Sequence, residues 1–186
     1  DGEFQLELAA GYLKVGDVQG KPYRPNLGDS PGALLSYRKA EEILQSVTAN
    51  DPGNREARRY LRIAWQNIGR LQGRVGDWAS ALTSERGAVA ISEALVSADP
   101  DRAAYRSLLA DNYLHFGEAL YKRERGAPVA DNREAIAWFG KALHLHEALG
   151  AAEPGNASYR YAAGVDYEYI GIAFTQLGDM TGDPQN

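Results

Sequence analysis

The sequence contains no cysteine. Disulfides, thiolate metal sites and cysteine nucleophiles are therefore excluded, while the redox compartment stays open, because a cysteine-free chain tolerates either setting. Positive charge is also scarce. Lys and Arg number 20 against 25 Asp and Glu, for a net charge of −5 and a pI near 5.3. With no basic stripe, nucleic acid is not an expected partner. No apolar run approaches the roughly 20 residues that cross a bilayer, and no basic leader precedes an apolar segment, so neither a signal peptide nor direct membrane insertion is expected within this segment. Localisation is left open. At 186 residues the chain suits one compact domain or one short array of repeats.

What the sequence does have is a helical pattern that recurs. Its clearest copy is Trp65-x-x-Ile68-Gly69-x-x-Gln72, followed by Gly76-Asp77, Ala81 and Ala88. Spacings of three and four place these residues on one face of a helix. Gly76 suits the left-handed residue after a helix end, and Asp77 is a good cap for the next helix. The small residues Gly69 and Ala81 let two antiparallel helices approach closely.

The arrangement appears three more times. The first copy is Ala9-x-x-Tyr12 with Gly16-Asp17, then Ala33-x-x-x-Tyr37-x-x-Ala40. The third is Tyr113-x-x-Phe116-Gly117-x-x-Leu120, then Ala135-x-x-x-Phe139-x-x-Ala142. The fourth is Tyr167-x-x-Ile170-Gly171-x-x-Phe174 with Gly178-Asp179. Turns at Asp51-Pro52, Asp99-Pro100 and Glu153-Pro154 separate the copies, and an arginine follows each proline by six residues: Arg58, Arg106 and Arg160. A residue present in every copy is expected to serve the repeat, here by bonding to the acidic turn or the preceding helix end.

The expected elements are helices over 1–16, 30–49, 54–73, 77–98, from about 100 to 125, from Asp131 or Asn132 to about Gly150, and over 156–177. Pro- and Gly-rich loops are expected at 17–29 and 126–131. Asp29-Ser30-Pro31 is a capped helix start with proline in the first turn. Tyr12, Tyr37, Tyr113 and Tyr167 fall at seam positions and are expected in the core.

These residues resemble the tetratricopeptide repeat, whose pattern is Trp-x-x-Leu-Gly-x-x-Tyr followed by Ala, Phe and Pro. Here Gln72 stands in place of the tyrosine and Glu85 in place of the phenylalanine. Markers at 9, 69, 117 and 171 lie 60, 48 and 54 residues apart, against about 34 for the family, so the repeats are elongated. The resemblance implies an all-α, right-handed α-solenoid of antiparallel helix pairs with about seven helices. It implies one domain over 1–186, with repeats at about 1–50, 51–98, 99–152 and 153–186. The last repeat lacks its second helix, so the chain is expected to be a fragment of a longer protein. The face carrying Tyr167, Ile170 and Phe174 is then under-covered, which invites self-association.

More narrowly, Val15-Gly16-Asp17-Val18-Gln19-Gly20, Asn26-Leu27-Gly28-Asp29 and Ala33-Leu34-x-Ser36-Tyr37-Arg38-Lys39-Ala40 are similar to the repeat region that follows the kinase domain in bacterial serine/threonine protein kinases. The chain itself has no glycine-rich nucleotide loop on a strand, no His-Arg-Asp loop and no Asp-Phe-Gly. Beside a kinase it would be a non-catalytic, regulatory or sensory appendage.

No motif carries chemistry. His144 and His146 are two apart and point about 200° from each other on a helix, where zinc-binding helices use spacings of three or four. They are expected to be ordinary surface or seam residues, and no metal or cofactor is expected. Gly69-x-x-x-Gly73-x-x-Gly76 lies within and after a helix, not between strand and helix, and reads as close packing plus a C-cap. Asn156-Ala157-Ser158 matches a glycosylation sequon but reads as a helix N-cap. The chain is therefore not expected to be an enzyme.

The resemblance implies that the first helix of each pair lines a concave groove. Its expected partner-facing residues are Ile63, Gln66, Asn67, Arg70 and Arg74 in the second repeat, Asp111, Leu114, His115 and Glu118 in the third, and Glu168, Tyr169 and Ile172 in the fourth. Some family members clamp the carboxylate of a peptide with paired lysines and asparagines; only Asn67 falls on such a position, so that mode is not expected. A protein or peptide partner is expected, with charges that choose its orientation more than its affinity. Homo-oligomerisation through the unpaired last helix is the alternative.

Overall fold

The computed structural model describes residues 2–22, 24–123 and 129–181, with side chains described over 2–22, 24–122 and 132–177. Among the described residues it contains seven helices and no strands: α1 (Gly2–Gly20), α2 (Ser30–Asn50), α3 (Arg55–Arg74), α4 (Trp78–Ala98), α5 (Ala103–Arg123), α6 (Val129–Ala152) and α7 (Ala157–Thr181). The fold of the described residues is all-α, and α1 packs on α2, α2 on α3, α5 on α6 and α6 on α7. The chain forms two compact units, Asp1–Ile91 and Ser92–Asn186, with α4 running through the boundary. No described helix is long and apolar enough to cross a membrane.

Several helix boundaries follow local chemistry read from the sequence. Asp29 caps α2, its carboxylate accepting from the Gly32 amide at 2.9 Å with Pro31 in the first turn. Asn54 caps α3 through the Ala57 amide at 2.9 Å, and Asp77 caps α4 through the Ser80 amide at 3.2 Å. Gly76 holds φ at +84°, the left-handed conformation in which a side chain would be strained.

Three boundaries differ. Gly16-Asp17 does not end the first helix, which runs on to Gly20. Gly178-Asp179 lies inside α7 in the same way. Helix α6 begins at Val129, so Asp131 and Asn132 are helical residues and not the cap. Of the second expected loop, 126–131, residues 126–128 lie outside the described residues and 129–131 are helical.

The continuation of α1 has a packing cause. A methyl built on Gly16 would sit 2.7 Å from the Tyr37 ring of α2, so the glycine makes room for the ring and not a turn. Asp17 next to it is held by the Tyr37 hydroxyl, which donates at 2.8 Å, and by Lys21. Glycine costs about 1 kcal/mol of helix propensity, which a buried aromatic contact on the same turn offsets.

The first unit centres on Ala9, Leu13, Ala33, Tyr37, Ala40, Leu44, Ala57, Leu61, Ala64 and Ile68, all buried. Helices α1 and α3 each pack against α2 and also touch each other. The second unit buries Leu109, Phe116, Leu120, Ala135, Phe139, Ala142 and Leu149, with Ala173 and Leu177 from α7. Here α5 and α7 both pack on α6 and touch each other.

Candidate functional site

Each helix pair closes on one small residue facing one large side chain. Gly16 faces Tyr37, Gly69 faces Glu85, and Gly117 faces Phe139, with closest approaches to a built methyl of 2.7, 2.8 and 2.7 Å. Tyr37, Glu85 and Phe139 occupy one position in the Ala-x-x-x-Φ-x-x-Ala pattern, and all three are buried. This corrects the register of the first copy. The counterpart of Gly69 is Gly16, not Ala9, and the box there reads Tyr12-x-x-Val15-Gly16-x-x-Gln19. The markers then lie at 16, 69, 117 and 171.

Glu85 is buried with its carboxylate against Gly69. Near it, Ser84 and the Gln72 side chain are joined at 3.0 Å. Gly73 leaves room for the Trp78 ring, and Gly87 for the Trp65 ring.

Gly171 breaks the series: among the described residues, nothing stands within 4 Å of a methyl built there. On the same face, Tyr167 is 56% exposed and Phe174 40%. The expected under-covering of this face holds for Tyr167 and Phe174, while Ile170 is half-buried. Of the four seam tyrosines, Tyr37 is fully buried, Tyr12 and Tyr113 are half-buried and Tyr167 is exposed. The expectation of a core role fails for Tyr167 because α7 buries another face, through Asp166, Ala173 and Leu177.

A second repeating device joins each pair to the next helix. The aromatic that opens the box donates to a glutamate on the preceding helix: Trp65 Nε1 to Glu41 at 2.6 Å, Tyr113 Oη to Glu93 at 2.8 Å, and Tyr167 Oη to Glu147 at 2.6 Å. The bonds to Glu93 and Glu147 disfavour phenolate. Burial raises Tyr113 first, with Glu93 adding to it, and for Tyr167 the bond to Glu147 is the leading cause.

One residue before each aromatic lies an inner slot. In the second unit it holds Asn112, whose amide donates to Ser92 at 2.6 Å, and Asp166, which is 2.6 Å from Nδ1 of His146. The corresponding residues in the first unit are Leu44 and Ala64, both in its apolar core. His146 was not singled out by its spacing, yet it is 1% exposed and its partner Asp166 0%. The 20-residue interval shared by 92/112, 93/113, 146/166 and 147/167 is the sequence signal that finds it.

Nε2 of His146 faces Asp111 on α5 at 3.7 Å, an ion-pair distance too long for a hydrogen bond. Burial alone would lower the imidazolium, but the carboxylates of Asp111 and Asp166 outweigh it and hold the ring up to about 9. Asp166 is pushed above the usual carboxylate range by its own burial, against the pull of His146.

The expected partner-facing residues divide by burial. On α3, Ile63, Gln66 and Arg70 are half-buried, Arg74 is exposed and Asn67 is buried. On α5, Asp111, His115 and Glu118 are half-buried while Leu114 is buried. On α7, Glu168 and Ile172 are exposed, and Tyr169 is half-buried with its ring 5.2 Å from that of Phe139. Glu118 bonds Lys122 at 2.5 Å and lies 3.5 Å from His115. Burial pushes its carboxyl up, but those two partners outweigh burial and lower it to about 2. Among the inter-repeat arginines, Arg160 Nη1 donates to the Pro154 carbonyl at 3.1 Å, which ties that turn to α7.

Compared with models of known protein families and with curated protein sequences, the chain matches none.

Proposed function

We propose that this chain is a non-catalytic protein–protein interaction scaffold of the tetratricopeptide type, in which the first helices of the pairs present their outward faces to a peptide or partner domain. The observation that carries this reading is the repeated device itself. A glycine faces a large side chain at 16/37, 69/85 and 117/139, and an aromatic–glutamate bond leads to the next helix. Repeated hairpins of this kind bury their apolar faces on one another and leave an extended surface for binding.

In the first unit Arg74 is exposed and Arg70 half-buried on α3, charges that suit an acidic partner segment; in the second, Asp111 and Glu118 are half-buried on α5, charges that suit a basic one. The similarity of residues 15–20, 26–29 and 33–40 to the repeats of bacterial serine/threonine kinases supports a regulatory or sensory role beside a kinase domain.

The test is selection from a displayed peptide library, repeated with Arg70→Glu/Arg74→Glu. Loss of the selected binders with helical content unchanged supports the reading. Equal capture by both proteins moves binding off α3.

A second reading, self-association that brings linked domains together, is favoured by the uncovered Gly171 face with Tyr167 and Phe174. Light scattering over a concentration series tests it. A concentration-dependent dimer that Phe174→Asp converts to monomer supports it, and a monomer throughout excludes it.

A further inference from the structure

The buried pair His146–Asp166 is not something the fold demands. The same inner slot is filled by Leu44 and Ala64 in the first unit, and by Ser92 and Asn112 elsewhere in the second. An ion pair placed where an apolar pair and a neutral hydrogen bond also serve costs desolvation and returns little net stability. What it adds is dependence on a proton.

We propose that protonated His146 is a clasp that fastens α7 to α5 and α6, and that losing its proton releases α7. The geometry is a three-helix bridge. His146 projects from α6, with Nδ1 at 2.6 Å from Asp166 of α7 and Nε2 at 3.7 Å from Asp111 of α5. The other titratable or charged groups around it are His115 of α5, which acts on Asp166, Glu147 of α6, and Tyr159, Arg160 and Tyr167 of α7. Glu147 accepts from Tyr167 and Arg160 donates to Pro154, so each has a partner of its own. His146, Glu147, Arg160 and Tyr167 line one cleft of about 400 Å³ between α6 and α7, floored by Gly150, Ala163 and Gly164. That cleft is where the two helices would part.

With the proton in place, both ring nitrogens present N–H groups to carboxylates. Without it, one nitrogen turns its lone pair toward a carboxylate, and Asp166, already carrying an Oδ1 with no hydrogen-bond partner among the described residues, is left as a buried anion with no countercharge at contact. The sign follows. The folded state holds the proton on His146 up to about 9, while an unfolded histidine releases it near 6.5. The contribution is complete below about 6.5 and lost as pH rises through about 9. Burial of Asp166 acts in the same sense, favouring proton uptake by the folded state.

Two measurements on the full chain decide it. The first follows the His146 ring by NMR as pH is raised. A midpoint near 9 is expected, and one at or below about 6.5 overturns the proposal. The second compares hydrogen exchange along α7 in the wild type and in His146→Ser/Asp166→Asn, which installs the chemistry of Ser92 and Asn112. Taking the ratio of the two proteins at each pH removes intrinsic base catalysis. The ratio of wild-type to variant rates is expected to rise about tenfold or more between about pH 7.5 and 10. A ratio that stays constant overturns the clasp. If the variant does not fold, the ring titration still stands as the test.

Discussion

Phe139 stands against Gly117, so close that a methyl on the glycine would sit 2.7 Å from the ring and 3.2 Å from the Ala135 carbonyl. The contact joins α5 to α6 at a point where both partners are buried. Gly171, at the matching position of α7, has no such neighbour. The same substitution at the two sites should therefore have opposite signs. Gly117→Ala should destabilise the chain by about 1–3 kcal/mol through overpacking. Gly171→Ala should be neutral or stabilising by up to about 1 kcal/mol from helix propensity. Denaturant unfolding of both variants checks this, and a loss at Gly171 equal to that at Gly117 would show that α7 is covered in solution.

The Tyr37 hydroxyl donates to Asp17 at 2.8 Å from a fully buried ring. Burial, with Asp17 adding to it, raises this phenol well above the ordinary tyrosine range. In an alkaline titration followed by ultraviolet absorbance, Tyr37 should ionise only with unfolding. Tyr37→Phe should remove one slow-titrating group and cost about 1–2 kcal/mol, the usual size for a bond to a charged acceptor.

Trp65 and Tyr113 occupy equivalent positions, and each donates to a glutamate on the helix before it. The Trp65 bond is partly buried and the Tyr113 bond exposed. Trp65→Phe should therefore cost more than Tyr113→Phe, at about 1–3 kcal/mol against less than about 1 kcal/mol. Equal losses in urea unfolding would mean that the two junctions carry the same load despite their different solvent access.

Glu118 sets the acid limb. Its carboxyl is drawn down to about 2 by Lys122 and His115 despite burial. A depressed carboxylate stabilises above its unfolded value, near 4.3, and that stabilisation disappears as pH falls through about 2. Wild-type thermal midpoints should fall across that interval, and Glu118→Gln should flatten the fall by an amount on the order of 2 kcal/mol. Parallel curves for the two proteins would remove Glu118 from the acid transition.

Much of the helical plan could be read directly. Asp29 and Asp77 read as caps because a short oxygen-bearing side chain ahead of an apolar period satisfies the free amides of a first turn, and both do so; Asn54, expected as the start of its helix, caps it in the same way. That Gly69 and Gly117 mark close approaches was legible, since small residues at helical spacing permit them, but the side chains opposite are Glu85 and Phe139 and not the expected alanines. Gly16 and Gly178 were misread as stops because each is followed by aspartate, as Gly76 is. A glycine under a neighbouring ring and a glycine in a left-handed turn are identical in sequence and differ only in what stands opposite. The same ambiguity placed the first repeat marker at Ala9, seven residues early.

The burial of the expected partner-facing residues was less legible. Asn67 and Leu114 share a helix face in projection with Arg70 and His115, yet both are buried. A helical wheel describes one helix, whereas burial depends on all the helices packed around it. His146 reads as an ordinary surface or seam residue for the same reason, because its partners lie on α5 and α7, 35 and 20 residues away along the chain.

From the amino-acid order alone came the all-helical class, the helix count and the caps, because these depend on residues within one or two turns of each other. Tertiary structure decided which glycines are contacts and which are turns, that α7 leaves Tyr167 and Phe174 exposed, and that a histidine with no motif around it is buried between two carboxylates. Those outcomes depend on what neighbouring helices present across a gap of a few ångströms, and no spacing within a single helix records that.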